Sequence, residues 1–176
     1  MVIRFLILKM RGKNREVIDM IHVLFVCLGN ICRSPMAEAV FSDMVKKNGL
    51  NGQINIDSAG IGAWHAGNPP HEGTKEILKK KGISASGITA RQVRESDLTD
   101  FDYVIAMDAE NIGHLRSMAG YKKAAPRIAR LLDYVPESDL ADVPDPYYTG
   151  NFSEVYALVE SGCRHLLETI KKDHHL

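Results

Sequence analysis

A cysteine followed after five residues by an arginine, in Cys27-Leu28-Gly29-Asn30-Ile31-Cys32-Arg33-Ser34, offers groups that could both hold an oxyanion and attack it. Arg33 carries a planar, permanently charged fork that grips two phosphate oxygens at once, which a lysine cannot do in the same way. Cys27 carries the sulfur. N–H donors, a helix N-terminus and a guanidinium around a thiol favour its nucleophilic thiolate form. Both roles need a particular backbone. Val23 to Val26 is a continuous run of β-branched and apolar residues, which reads as a strand buried on both faces. Gly29 and Asn30 are the residue types that most readily take positive φ, so the chain can curl directly after that strand. Ser34 is a good N-cap and Pro35 suits the first helical position, which predicts a helix starting there. Strand, curled loop and helix N-terminus in that order aim backbone N–H groups and a helix dipole into one small space. Taken alone, Cys-x5-Arg is a weak pattern that a buried structural cysteine near a surface arginine also satisfies. Its weight comes from the agreement of the flanking strand, the Gly-Asn turn and the Ser-Pro start.

The remaining elements must position this loop. The 176 residues suit one ordinary domain. Ala37, Val40, Phe41, Met44 and Val45 fall at helical spacing and predict a helix over Ser34 to Asn48, stopped at Asn48-Gly49. Gln53 to Asp57 alternates around Ile54 and Ile56 and predicts a second strand ending at Ser58-Ala59-Gly60, joined to the first by a right-handed parallel crossover. Residues 60–70 form a Gly-rich loop carrying Trp64, which reads as a cleft wall because the ligand crevice of an open α/β sheet lies past the strand ends. His65 and His71 have no partner at metal-ligand spacing and read as loop and cap residues. A helix is predicted over His71 to Lys81, a short helical turn over Ser96 to Asp100, and a third buried strand over Tyr103 to Met107. Asp108 is placed to cap a helix running to Ala119. Arg127 to Leu132 fits strand or helix equally. Phe152, Val155, Tyr156, Val159, Cys163, Leu166, Leu167 and Ile170 mark a long last helix, with Cys163 in the core.

Lys plus Arg and Asp plus Glu each number 22, so no electrostatic case exists for nucleic acid or a membrane surface as partner. Three cysteines argue against a disulfide framework and for a reducing compartment, the cytoplasm. No apolar run approaches the length of a membrane span. Residues 1–19 read as an extension outside a domain spanning 20–176, with an added edge strand or packing arm as the alternative. Val2 to Leu8 is mostly apolar, but Lys9, Arg11, Lys13 and Arg15 follow without a small-residue cleavage site, unlike a secretory signal.

A second motif lies far downstream at Asp145-Pro146-Tyr147-Tyr148, where Pro144 and Pro146 bracket the aspartate and stiffen its loop. A common Asp-Pro turn is the plain reading of it. Together the two motifs resemble the low-molecular-weight protein tyrosine phosphatases of bacterial type, and the resemblance covers nearly all of Ile21 to Ile170. It implies an α/β fold with an open four-stranded parallel sheet, helices on both faces and a single domain. It implies Cys27 as nucleophile, Arg33 as phosphate clamp and Asp145 as general acid and base, with Leu28, Gly29, Asn30, Ile31, Cys32 and Ser34 completing the phosphate loop and no metal or cofactor. Phosphotyrosine-containing proteins become the expected substrates and inorganic phosphate the product. Ser58 is expected to hydrogen-bond Asn30 and support the loop, unless it is an ordinary strand-end turn serine. Trp64, Tyr147 and Tyr148 are expected to wall the substrate cleft. The family pattern continues from Asp-Pro-Tyr-Tyr into Gly-Asn; here Thr149 intervenes before Gly150-Asn151, which alters loop length. The resemblance also suggests a reversible Cys27 to Cys32 disulfide under peroxide, against the alternative of a small loop-packing residue.

Three other readings compete. Arginine phosphatases of this fold carry Thr where this chain has Ile31, and an apolar Ile31 offers no partner to a guanidinium substrate. A thioredoxin-coupled arsenate reductase needs two relay cysteines in a mobile segment, whereas only Cys32 and Cys163 remain. A non-catalytic phosphate-binding module would need neither Cys27 nor Asp145. A nucleotide P-loop is ruled out because no Gly-Lys-Ser/Thr follows the turn.

Overall fold

The computed structural model describes residues 6–11, 14–120 and 127–176. Two strands come first, β1 (Leu6–Arg11) and β2 (Asn14–Asp19), paired antiparallel with Leu6 opposite Asp19 and Arg11 opposite Asn14. Among the described residues they pair with each other and not with the main sheet. Residues 1–5, 12 and 13 of the extension lie outside the described residues.

The run around Val23 forms β3 (Ile21–Cys27), buried at every position. It is followed by α1 (Arg33–Lys47), β4 (Ile54–Gly60), α2 (Glu72–Lys80), the short α3 (Asp97–Asp100), β5 (Tyr103–Ala106) and α4 (Ala109–Ala119). β6 (Arg127–Arg130), a 3-10 turn (Leu131–Tyr134), the short α5 (Pro146–Thr149) and α6 (Phe152–His174) complete the chain. The sheet has four parallel strands in the order β4-β3-β5-β6. The expected α/β architecture is therefore present, and the Arg127 region resolves into a strand followed by a 3-10 turn.

Alternation along β3 divides the core between the two faces of the sheet. Val23, Phe25 and Cys27 point to the side covered by α1, α2 and α6, where Phe41, Met36, Leu78, Leu166 and Ile170 are packed. Phe25 and Phe41 meet edge to face with centroids 5.5 Å apart. Leu24 and Val26 point to the side of α3 and α4, against Leu98, Val104, Ile112 and Leu115. Burying each such side chain contributes about 1.5–3 kcal/mol, and the result is a rigid β3. Its C-terminal end lies where the chain departs to β4 on one side and β5 on the other, the crevice position of open α/β sheets.

The start of α1 differs from expectation. Cys32, not Ser34, is the N-cap, and it makes no side-chain cap bond. The Ser34 hydroxyl is drawn inward to polar atoms of the loop, and Pro35 is tolerated at the third helical position because the first helical N–H groups have no helical partner. The stop at Asn48 is as expected, with Gly49 at φ 69°.

Candidate active site

Residues 27–34 close into a cup because their carbonyls are claimed from outside. Cys27 O accepts from Ile61 N at 2.9 Å, Leu28 O from Gly62 N at 2.9 Å and Ile31 O from His71 N at 2.7 Å. Cys32 O accepts from Met36 N and from Thr74 Oγ1. With the carbonyls turned outward, the peptide N–H edges face the interior, the arrangement that suits an anion. Asn30 takes φ 56°, a left-handed conformation that asparagine tolerates better than most residues. Three bonds hold it there: Nδ2 donates to Ser34 Oγ at 2.8 Å and to Ser58 Oγ at 2.9 Å, and Oδ1 accepts from Arg91 N at 2.9 Å. The expected contact between Ser58 and Asn30 is thus present. Gly60 permits the close approach of β4, since a Cβ there would lie 3.0 Å from Gly29 backbone and 3.1 Å from Asn30.

Cys27 Sγ accepts from Asn30 N at 3.3 Å and lies 3.0 Å from Ser34 Oγ. Cys32 shares the loop, but burial pushes its thiol up to about 12, with Asp145 and Cys27 adding to the effect. Cys32 therefore stays a thiol near neutral pH. Cys163 is buried in α6 with Sγ 3.8 Å from Ala37 O, and burial raises it further.

Arg33 is 3% exposed. Nη1 donates to Asp108 Oδ2 at 2.6 Å and Val143 O at 3.0 Å, while Nη2 donates to Asp145 Oδ2 at 2.9 Å. Burial opposes its charge, but Cys27, Asp145 and Asp108 outweigh that and hold the guanidinium protonated. Nε has no hydrogen-bond partner among the described residues. Nη1 is thus the anchor, while Nη2 is engaged by Asp145 and Nε is buried without a partner, so an anion on the Nε–Nη2 edge would satisfy Nε and share or replace the Asp145 contact. Asp108 caps α4 as expected, accepting from Asn111 N at 2.8 Å, but the same carboxylate also orients Arg33. The sequence reading missed that second role.

Asp145 is the N-cap of α5, its Oδ1 accepting from Tyr147 N at 3.1 Å, and Pro146 sits at the first helical position. The loop before it is fastened by Val143 N to Met107 O at 2.8 Å and by the Arg130–Asp142 ion pair at 3.2 Å. His71, the N-cap of α2 as expected, stacks on Phe152 at 5.2 Å and meets Tyr147 edge to face at 6.0 Å. Tyr147 in turn meets Tyr148 at 5.3 Å.

These parts enclose a cleft of about 280 Å³ with Cys27 at its base and Ile31, Trp64, Asp145, Tyr147 and Tyr148 among its walls. Trp64, Tyr147 and Tyr148 are the large apolar side chains left exposed here, at 71%, 55% and 76%. Gly62 makes room for the indole, whose nearest ring atom would lie only 1.8 Å from a Cβ at that position. His65 also lines the cleft, against Gly29, which reading it as a plain loop residue did not foresee. Among the described residues, no three His, Cys, Asp or Glu side chains are grouped to hold a metal ion.

A parallel α/β sheet with an anion cup, a thiol and a facing carboxylate at the end of its central strand defines a cysteine-dependent phosphate-handling class. The chain belongs to the low molecular weight phosphotyrosine protein phosphatase family, whose profile matches residues 22–176. It is 69% identical over 157 residues to the low molecular weight protein-tyrosine-phosphatase YfkJ of Bacillus subtilis, covering 89% of this chain and all of that one. The crystal structure of YfkJ superposes with a TM-score of 0.86 over 92% of this chain and 99% of its own. PtpA of Staphylococcus aureus, of the same family, is 43% identical over 89% of this chain and 98% of its own. A Drosophila arginine phosphatase has the same fold at 34% identity, with a TM-score of 0.78 over 85% of this chain and 97% of its own.

Proposed function

We propose that this protein hydrolyses phosphotyrosine in proteins through a cysteinyl-phosphate intermediate. The observation that carries the reading is that Cys27 and Asp145, distant in the chain, line one aromatic-walled cleft, with the buried Arg33 of the Cys27 loop bonded to Asp145. Cys27 sulfur attacks phosphorus in line, forming the S–P bond as the P–O bond to tyrosine breaks. Loop N–H groups and the Nε–Nη2 edge of Arg33 hold the three equatorial oxygens. Asp145 gives a proton to the departing phenolate, then takes one from the water that cleaves the S–P bond and releases inorganic phosphate. No step calls on a metal or cofactor. Hydrolysis of p-nitrophenyl phosphate by the purified protein is the direct test, with no turnover the result that ends the reading. Three cysteines, too few and odd in number for a disulfide framework, support a cytoplasmic setting, and among the described residues no helix is long and apolar enough to cross a membrane.

Cleft chemistry supports phosphotyrosine over phosphoarginine, and both over phosphoserine. Ile31 lines the cleft with Trp64 and the two tyrosines, giving an apolar slot for a phenyl ring and leaving a guanidinium's desolvation uncompensated. A phosphoserine is too short to span the slot to Cys27. Ile31→Thr is expected to lower kcat/KM for phosphotyrosine peptides about tenfold or less, the scale of one apolar contact, and to raise it for phosphoarginine. A parent protein that already prefers phosphoarginine overturns this specificity while leaving the phosphatase reading intact.

The extension outside 20–176 is proposed to be dispensable. The profile match beginning at residue 22 and the self-paired hairpin support this. A chain beginning at Met20 is expected to keep kcat/KM within about twofold and its Tm within about 2 °C, since few tenths of a kcal/mol are at stake. A large loss of either assigns the hairpin a packing role.

A further inference from the structure

The backbone of His71 is fastened on three sides, and its ring lies against the turn that carries Asp145. Its N–H donates to Ile31 O of the phosphate loop at 2.7 Å, its Nδ1 accepts from Gly73 N at 3.1 Å as the cap of α2, and its carbonyl accepts from Lys75 N at 3.0 Å. The imidazole is therefore a fixed platform beside the cleft. Phe152, the first residue of α6, stacks on it with 10° between the ring planes, and Tyr147 meets it edge to face. Gly73 leaves room for the stack, since a Cβ there would lie 2.5 Å from the Phe152 ring. The turn between these two aromatic residues has few other ties. α5 is four residues long, too short to be stable alone. Among the described residues, the hydrogen bonds of residues 144–151 stay within residues 144–155, with the single exception of Asp145 to Arg33. Pro146 is buried and holds the start of the turn, but Tyr147 is more than half exposed, so its ring neighbours set its position.

We propose that His71 is a positioning residue for the general acid, its ring holding the Asp145 turn through Tyr147 and Phe152 while a phosphoryl group occupies the cup. This rests on the phosphatase reading and extends it to a residue of the α2 cap that takes no part in the chemistry. Without an anion the turn has a second tie, from Arg33 Nη2 to Asp145 Oδ2 at 2.9 Å. A phosphoryl group on the Nε–Nη2 edge shares or replaces that contact, and the carboxyl then depends on its other partner, Tyr147 N at Oδ1. Tyr147 and Phe152 bracket the turn, and His71 is the group that both of them meet. The carboxyl must stay within hydrogen-bond reach of the departing oxygen, so a small displacement is costly. The cost falls on substrates whose leaving group needs the proton, a phenolate far more than a p-nitrophenolate.

His71 supplies a ring and a cap, and two substitutions separate them. His71→Asn keeps a good N-cap and removes the ring, whereas His71→Phe keeps an aromatic ring and removes the cap. In His71→Asn, shown folded by its Tm, kcat/KM for phenyl phosphate is expected to fall about three- to tenfold more than that for p-nitrophenyl phosphate, the scale of one or two aromatic contacts. Phe152→Leu removes the stacked partner, leaves His71 and its cap in place, and is expected to shift the ratio in the same direction. His71→Phe is expected to lose about 2–4 °C in Tm through the missing cap and to keep the parental substrate ratio. Amide exchange over residues 145–152 under saturating inorganic phosphate reads the turn without turnover, and is expected to quicken by about the same factor in His71→Asn and to stay parental in His71→Phe. A folded His71→Asn or Phe152→Leu with the parental substrate ratio overturns the proposal, as does parental exchange in His71→Asn or a ratio change of equal size in His71→Phe. A parent protein without phosphatase turnover defeats the underlying reading instead, and the exchange comparison still decides whether His71 holds the turn.

Discussion

Cys27→Ser is expected to reduce turnover of p-nitrophenyl phosphate by on the order of 10^4-fold or more, while inorganic phosphate still binds. A serine hydroxyl is a far weaker nucleophile than a thiolate near neutral pH, and 10^4-fold corresponds to about 5.4 kcal/mol of lost transition-state stabilisation. Binding is carried by other groups. The loop N–H edges are set by carbonyl contacts to Ile61, Gly62, His71 and Thr74, none of which involves the Cys27 side chain. The Arg33 fork is held by Asp108 and Val143. Phosphate affinity measured by calorimetry is therefore expected to stay within a few-fold of the parent. Arg33→Lys is the contrasting variant. A lysine retains a charge near Asp108 but cannot present two parallel N–H bonds, so both phosphate affinity and kcat fall. Near-parental turnover in Cys27→Ser would remove Cys27 from the chemistry. Equal phosphate affinity in Arg33→Lys and the parent would remove the bidentate clamp.

The groups that these variants probe were the most legible part of the sequence, for a physical reason. A strand end, a turn that needs positive φ and a helix start are each encoded within a few residues, and between Val23 and Pro35 all three signals agree. The two-faced burial of β3 follows from the same run. What could not be read locally were bonds whose partners meet only through the sheet register. Ser58 faces Asn30 because β4 pairs in parallel with β3, with Phe25 opposite Ser58. Arg91 reaches Asn30 through its backbone N–H, which leaves no trace in residue type. Asp108 has an ordinary local explanation as a cap, and its further partner Arg33 comes from a distant segment. The ambiguity over Arg127 to Leu132 was settled by pairing of Tyr103 with Arg127 through Ala106 with Arg130, a tertiary choice that periodicity does not contain. Ser34 shows the limit of local rules in the other direction. It is a good cap by type, yet a network of Asn30, Cys27 and Ala59 claims its hydroxyl and leaves Cys32 at the cap.

Asp145→Asn is expected to lose activity in proportion to how badly the leaving group needs a proton. Phenol and tyrosine leave as anions whose conjugate acids have a pKa of about 10, so a positioned proton donor should contribute roughly 10^2- to 10^4-fold with phenyl phosphate. p-Nitrophenolate is already a good leaving anion, and its loss should be about tenfold or less by the same Brønsted argument. Asparagine matters as the replacement because Asp145 also has structural work. Its Oδ1 caps α5 through Tyr147 N, and its Oδ2 accepts from Arg33 Nη2 at 2.9 Å. Asparagine can keep the cap, which confines the change largely to charge and proton. The disturbance from the missing Arg33 contact falls on the shared phosphoryl group and so lowers both substrates by the same factor, whereas loss of the proton donor divides them. The ratio of the two kcat/KM losses therefore isolates the chemistry. A ratio well above tenfold assigns Asp145 the proton, and equal losses reduce it to a partner of Arg33 and a helix cap.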